Sequence, residues 1–217
     1  MTAIATPSIL TVLLSGAVTA VRIAVGAGIV AFALGLLLAL VNVFTRWAPL
    51  RVAIGCYVEW MRNVPALAHL FVLYFGLASV GIQLSPLCAA IIGLGLVGAA
   101  VLCDVFVAGM RAIHAGQREA ALAAGLTPMQ ALRHIVLPQM LRLTLPAVGN
   151  YVSQLVKDTS IASAIAAPEI MFYARNLVTS TFETPLIYGS AILLYASIVF
   201  PVTWMFKGLE RRLGAGR

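Results

Sequence analysis

The sequence predicts an all-α integral membrane protein with about five transmembrane helices. Of its 217 residues, 62% are hydrophobic and 10% are charged, whereas soluble domains carry about 25% charged residues. Uncharged runs of about 20 or more residues recur, which is long enough for a helix to cross a bilayer. Helices are expected because they satisfy their own backbone hydrogen bonds in lipid. The length leaves room for a single transmembrane domain, residues 1–217, without a separate soluble domain.

The boundaries of the spans follow from the uncharged runs and from the turn residues between them. The first run has 23 residues without a charge. Residues 63–103 also lack a formally charged side chain, which is too long a run for one helix, and Gly81 and Pro86 divide it. Residues 167–184 are polar and are predicted to form a loop. The predicted spans are 23–45, 52–78, 86–112, 140–166 and 185–206.

Basic residues lie mainly on one side of these spans. The opposite side holds only Arg22 and Arg175, whereas ten basic residues share one side: Arg46, Arg51, Arg111, Arg118, Arg133, Arg142, Lys207, Arg211, Arg212 and Arg217. Because cytoplasmic loops carry the excess of Lys and Arg, the N-terminus is predicted outside and the C-terminus inside. The net charge of +7 is attributed to this asymmetry, not to nucleic-acid binding, since no basic run of five or six residues occurs.

One polar block, residues 116–138, interrupts the apolar sequence and is predicted to form two short helices on the inner side. Gly125 stands where a left-handed C-terminal cap would end the first helix. Thr127, Pro128 and Gln130 form a capping box with proline at the first helical position of the second. That helix is predicted to end at Pro138. A block this ordered is more than a connector, although an ordinary Ala-rich pair of interfacial helices is the alternative.

Charged side chains within the predicted spans also interrupt the apolar sequence. Each costs about 2.5–3.5 kcal/mol unless it is paired or faces water. Glu59 and Arg62 are three residues apart and are predicted to pair on one helix face. Lys157 and Asp158 are adjacent and need other partners, and Asp104 lies near the inner end of the third span. These charges either brace the bundle or line a path for a polar solute, and both roles can coexist.

Other chemistry is not indicated. Gly93, Gly95 and Gly98 spell G-x-G-x-x-G within a transmembrane segment, where helix packing explains them better than dinucleotide binding. No phosphate-binding motif G-x-x-x-x-G-K-S/T occurs, so the chain is not predicted to hydrolyse ATP or to be an enzyme. The three cysteines and three histidines are isolated, which predicts no metal site and no cofactor in this chain.

The polar block resembles the cytoplasmic coupling loop of permease subunits in bacterial ABC importers. It matches the pattern EAA-x3-G-x9-I-x-LP without a gap. The resemblance implies an ATPase-coupling role for Gly116, Gln117, Glu119, Ala120, Ala121, Gly125, Ile135, Leu137 and Pro138.

Further stretches resemble the polar amino acid permease subfamily, and together they cover nearly the whole chain. They are YVEWMRNVPALAHLFVLYFGL, GQREAA and VLPQMLRLTLPAVGNYVSQLVKDTSIASAIAAPEI. The subfamily counterparts are Glu59, Arg62, Pro65, Lys157, Asp158, Thr159 and Ser160, which with Asp104 are candidates for a substrate path or for its bracing. The usual Y-x-x-E-x-x-R of the third span is here Val101, Asp104 and Val107, and a usual glutamine is His69, which leaves the substrate open.

The resemblance implies a type I importer of the bacterial inner membrane that carries polar or charged amino acids, or related compounds such as opines. Its implied partners are a cytoplasmic ATPase dimer that binds ATP and Mg²⁺, a second permease subunit, identical or paralogous, and an extracytoplasmic solute-binding protein. Two other classes of membrane protein are alternatives. A channel or proton-coupled carrier would need an inverted repeat or a proton-relay array, and neither is visible; a purely structural membrane protein would have no path.

Overall fold

A computed structural model describes residues 9–214, and within them every regular element is helical. Residues 1–8 and Arg217, which entered the predictions of domain extent and orientation, lie outside this range. The α-helices are α1 (Ile9–Phe44), α2 (Ala48–Asn63), α3 (Ala66–Ser79), α4 (Pro86–Ala112), α5 (Ala115–Ala123), α6 (Pro128–Ala131), α7 (Leu137–Asp158), α8 (Ile170–Thr181) and α9 (Thr184–Leu213).

Helix α1 is longer than the predicted first span. It has 36 residues instead of the 23 of span 23–45, because residues 9–22 contain no proline and no charge before Arg22. At 1.5 Å per residue α1 is about 54 Å long, which exceeds the hydrocarbon core of about 30 Å. Its buried face consists mostly of small residues at helical spacing, with two larger ones: Leu13, Gly16, Ala20, Ile23, Ala27, Ala31, Gly35 and Ala39.

Helix α4, which coincides with the predicted third span, is the central element and packs most extensively against α1. Small residues bring the two backbones together: a Cβ added at Gly35 would lie 2.9 Å from the carbonyl oxygen of Ala99. A Cβ at Gly95 would lie 2.8 Å from Val30 Cβ. The glycines of the G-x-G-x-x-G sequence are therefore packing residues, as predicted.

The predicted second span, 52–78, is wrong as one helix, because α2 and α3 meet at an angle of 104°. The break follows from Pro65, since a residue before proline is driven to extended backbone, and Val64 has φ −95° and ψ 135°. Helix α3 then contains a π-helical turn, Val72–Gly76. The bend places Pro65 at the exposed start of α3, not inside a span.

The fourth predicted span and the loop after it also differ from the structure. Helix α7 ends at Asp158 and continues as a 3₁₀ helix, Thr159–Ile165, which stops at Ala166 in left-handed backbone with φ 59°. The predicted polar loop 167–184 contains α8 instead. Glu169 caps α8 by accepting a hydrogen bond from the Phe172 backbone N–H, which satisfies one of the N–H groups that a helix leaves free at its start.

Three helices among the described residues are both long and apolar enough to cross a membrane, namely α1, α4 and α9, and the bent pair α2–α3 can supply a fourth. Helix α9 contains the predicted span 185–206 and continues into the basic tail. Helix α7 has 22 residues but is more polar, since it carries Arg142, Asn150 and Lys157. The count of five spans and the orientation of the termini stay predictions.

Candidate functional site

The first helix of the polar block ends as the sequence predicts. Gly125 lies in left-handed backbone with φ 84°. The Leu126 N–H donates to the Ala121 carbonyl at 3.1 Å, and the Gly125 N–H donates to the Leu122 carbonyl at 3.0 Å. This pair of bonds is a Schellman motif, which satisfies carbonyls that the helix end would otherwise leave free.

The second helix of the block begins with the predicted capping box. The Thr127 N–H donates to Gln130 Oε1 at 2.8 Å, and the Gln130 N–H donates to Thr127 Oγ1 at 3.3 Å. Pro128 occupies the first helical position, where its missing N–H costs nothing. The turn Ala124–Thr127 between the two helices is thus held by backbone and side-chain bonds at both ends.

The prediction that this helix ends at Pro138 is wrong. Helix α6 passes through a π-helical turn, Leu132–Val136, directly into α7, and Pro138 lies in the first turn of α7. The wider turn allows the chain to accommodate a proline, which cannot donate an N–H to the preceding turn. The block is therefore continuous with a long helix of the bundle, so a displacement of the block would be transmitted to α7.

The residues of the coupling motif divide into an exposed set and an anchoring set. Gln117, Glu119, Ala120, Gly125 and Pro138 are exposed. Ala121 is buried, and Gly116, Ile135 and Leu137 are half-buried, while the neighbouring Ala131 and Val136 are also buried against the bundle. The exposed set, which includes the polar side chains of Gln117 and Glu119, forms a surface that a partner could contact without disturbing the packing beneath it.

The predicted Glu59–Arg62 pair is not formed. Arg62 instead makes an ion pair with Asp104 of α4, the one ion pair within 4 Å among residues 9–214. Glu59 accepts a hydrogen bond from Asn63 Nδ2 at 2.8 Å, a contact between residues four positions apart on α2. Both side chains of the Arg62–Asp104 pair are about half exposed, at 48% and 45%.

The polar cluster at the end of α7 is satisfied mainly within its own helix. Asp158 accepts from Gln154 Nε2 at 2.8 Å. The hydroxyls of Thr159 and Ser160 donate to the carbonyls of Val156 and Lys157, each at 2.8 Å, and Thr159 is fully buried. Lys157 and Asp158 are therefore the charged members of this cluster, whereas the hydroxyls of Thr159 and Ser160 stabilise the helix end. The polar contacts found among residues 9–214 do not join this cluster to the Arg62–Asp104 pair.

His69, one of the departures from the subfamily pattern, lines a pocket of about 290 Å³ beside the α2–α3 bend. Trp60, Met61, Gly93 and Leu96 also line it. Both ring nitrogens of His69 are buried and have no hydrogen-bond partner among the residues that the structure describes. A neutral imidazole has one donor and one acceptor, and both are left unpaired by the described residues around this pocket.

Sequence reasoning missed a buried polar link that involves Glu169. This carboxylate is fully buried and accepts from the Phe172 N–H at 2.7 Å and from the Tyr195 hydroxyl of α9. Its backbone packs on Gly16 of α1, where an added Cβ would lie 2.8 Å from the Glu169 carbonyl carbon. Glu169 thus joins α1, α8 and α9. The available signal was an acidic residue directly before the apolar run that begins at Ile170.

Replacing Glu169 with alanine should lower the melting temperature of the detergent-solubilised chain. The change leaves the Tyr195 hydroxyl and a helix N–H without their acceptor, and leaving such buried groups unsatisfied costs about 1–3 kcal/mol each. The control is Glu183→Ala, because Glu183 is exposed and its side chain does not cap α9. Equal melting temperatures for the two variants, measured by fluorescence-detected size exclusion after heating, would contradict a stabilising role for Glu169.

Comparison with known proteins extends these observations. Residues 31–215 match the family described as binding-protein-dependent transport system inner membrane component. The probable glutamine ABC transporter permease protein GlnM of Bacillus subtilis is 34% identical over 84% of each chain. The arginine transport system permease protein ArtQ of the same organism is 30% identical over 93% of this chain and 92% of its own.

Solved structures share the fold. The crystal structure of an amino acid ABC transporter with histidines is 25% identical, covers 93% of this chain and 94% of its own, and superimposes with a TM-score of 0.85. An inward-facing MetNI methionine ABC transporter is 21% identical over 96% of this chain and 99% of its own, with a TM-score of 0.82.

The bundle of long apolar helices is that of an integral membrane protein. The chain belongs to the family of inner membrane components of binding-protein-dependent transport systems. The resemblance to ABC importer permeases of the amino-acid type is therefore confirmed. The all-helical importer fold and the multi-pass location in the inner membrane are confirmed with it.

Proposed function

We propose that the chain is the membrane-spanning subunit of an ATP-driven importer for polar or charged amino acids, or for related compounds such as opines. Relatives described as permeases for glutamine, L-cystine and arginine support an amino-acid substrate. In this proposal ATP and Mg²⁺ are bound by a cytoplasmic ATPase dimer, a second permease subunit completes the path, and an extracytoplasmic protein delivers the solute.

The observation that carries the coupling step is the continuity of the polar block with α7. The exposed residues Gln117, Glu119 and Ala120 would contact a groove of the ATPase, and the Gly125 cap would hold the two short helices at a fixed angle. Because α6 continues through the π-helical turn into α7, closure of the ATPase dimer would move α7 with the block. Such rigid-body movement between two packings opens the path to alternate sides.

The polar residues of the path suit a zwitterionic solute. Lys157 and Arg62 can attract a carboxylate, whereas Asp158, Asp104 and Glu59 can attract an ammonium group. Arg62 and Asp104 are both half exposed, so either residue could release the other and bind a solute instead. Pro65 contributes by setting the bend that ends α2 just after Arg62, and α2 packs against α4, which carries Asp104.

Uptake of radiolabelled amino acids into proteoliposomes tests this function. The reconstituted complex would contain the chain with its cognate ATPase and its solute-binding protein. We expect uptake that requires both internal ATP and the binding protein, and ATPase activity that the loaded binding protein stimulates. Uptake driven by a proton gradient without ATP would instead assign the chain to the proton-coupled carriers, and the absence of any solute-stimulated activity would favour a structural role.

A further inference from the structure

A concave notch lies where the ends of α1 and α4 meet α5, away from the polar residues of the path. Its volume is about 450 Å³. Apolar side chains, among them Phe44 and Met110, form much of its wall. The polar groups that line it are Arg111, His114, Arg118 and Glu119. The notch is thus both apolar and ionic, and it lies at the ends of two membrane-spanning helices.

The basic groups of the notch are directed by local contacts. The Arg118 guanidinium carbon lies 5.4 Å from the centroid of the Phe44 ring, so its charge is held over the apolar wall. His114 Nδ1 accepts a hydrogen bond from the Gly116 N–H at 3.1 Å. When Nδ1 accepts, a neutral imidazole carries its proton on Nε2. His114 therefore has a hydrogen-bond donor left over for an occupant of the notch.

The positive charge of the notch is not neutralised within the described chain. Neither Arg111 nor Arg118 has a carboxylate within 4 Å among residues 9–214. Glu119 lines the notch as well and lowers its formal charge, but two guanidinium groups against one carboxylate leave a net charge of +1. Arg46 and Arg51 follow α1 in the sequence and add to the basic surface at this end of the bundle.

We propose that this notch binds an anionic phospholipid of the inner leaflet. Arg111, Arg118 and the His114 N–H would bind the headgroup phosphate, and one acyl chain would lie along the wall formed by Phe44 and Met110. Basic pockets between helices at the cytoplasmic surface are suited to such headgroups. A soluble anion would leave the apolar wall unused, and this combination therefore favours a lipid. The proposal rests on the proposed function in one respect, namely that the polar block faces the cytoplasm.

Lipid binding by the full-length permease in detergent, followed by native mass spectrometry, tests the proposal. The variant Arg111→Gln with Arg118→Gln removes two charges from the notch. The matched control, Arg211→Gln with Arg212→Gln, removes two charges from the exposed end of α9. We expect wild type and control to retain phosphatidylglycerol in preference to phosphatidylcholine. The notch variant should bind phosphatidylglycerol about tenfold or more weakly, since each basic residue contributes about 1 kcal/mol.

Several results would overturn the lipid assignment. One is equal retention of phosphatidylglycerol by the notch variant and the control. Another is displacement of the lipid by millimolar inorganic phosphate, which would indicate a site for free anions. Loss of ATPase co-purification without any change in lipid binding would identify a protein partner as the occupant. Because lipid binding is measured without ATP or amino acid, its failure is distinguishable from a failure of uptake by the reconstituted complex.

Discussion

Replacing Gly125 with valine should reduce ATP-coupled uptake by tenfold or more while the chain still inserts into the membrane. Gly125 has φ 84°, a conformation that costs an L-residue about 1–2 kcal/mol and a β-branched residue more. Valine would therefore break the Schellman motif and change the angle between α5 and α6. Membrane insertion should survive, because an added Cβ at Gly125 meets no atom within 4 Å.

Two further variants separate this backbone effect from the loss of a glycine. Gly125→Asn should keep most of the uptake, since asparagine tolerates left-handed backbone. Gly208→Val should leave uptake near wild type, because Gly208 is exposed within helix α9 and also has open space around it. If Gly125→Val and Gly208→Val transport equally well, the cap has no part in coupling.

Glu119→Lys should also abolish uptake, because it reverses the charge of an exposed residue that is proposed to contact the ATPase.

Removing one member of the Arg62–Asp104 pair is the other change with a large expected effect. Asp104→Ala leaves Arg62 without its carboxylate at the α2–α4 contact, and uptake should fall by tenfold or more. The effect on stability should be smaller, with a coupling energy of about 1 kcal/mol, because both side chains are half exposed. Both quantities can be measured with Arg62→Ala, Asp104→Ala and the double variant, as uptake rates and as melting temperatures.

Exchanging the two residues tests whether their interaction, not each residue separately, is required. The variant Arg62→Asp with Asp104→Arg restores opposite charges across the same contact and should recover part of the uptake. A reversed pair that is no better than either single alanine variant would argue against an interaction. It would fit instead a path in which each residue contacts the solute on its own.

Local signals in the sequence were sufficient for the turn between the two helices of the polar block. The left-handed Gly125 and the Thr127–Gln130 capping box depend on residues at most five positions apart, and both are present in the structure. The span of α4 was also predictable, since Pro86 follows an N-capping serine whose side chain accepts from the Cys88 N–H. In each case the residues that determine the conformation are neighbours along the chain.

The remaining features depend on contacts between distant residues. Arg62 and Asp104 are 42 positions apart, so helical spacing favoured Glu59 as the partner of Arg62, which was wrong. Pro65 was expected within the single span 52–78, whereas α2 and α3 meet at 104° and both pack on α4. Likewise, no residue near Pro138 indicated that a π-helical turn would join α6 to α7 and keep the chain helical past this proline.

The accessibility of Ala124 tests the central proposal, which is that the polar block lies at the cytoplasmic surface and binds an ATPase. Ala124 is exposed at the turn between α5 and α6. The reporter is Ala124→Cys in a chain whose own cysteines, Cys56, Cys88 and Cys103, are replaced. A membrane-impermeant maleimide should label it in inside-out vesicles, and the assembled ATPase should protect it. Labelling in right-side-out vesicles, or labelling that the ATPase does not reduce, would contradict the proposal.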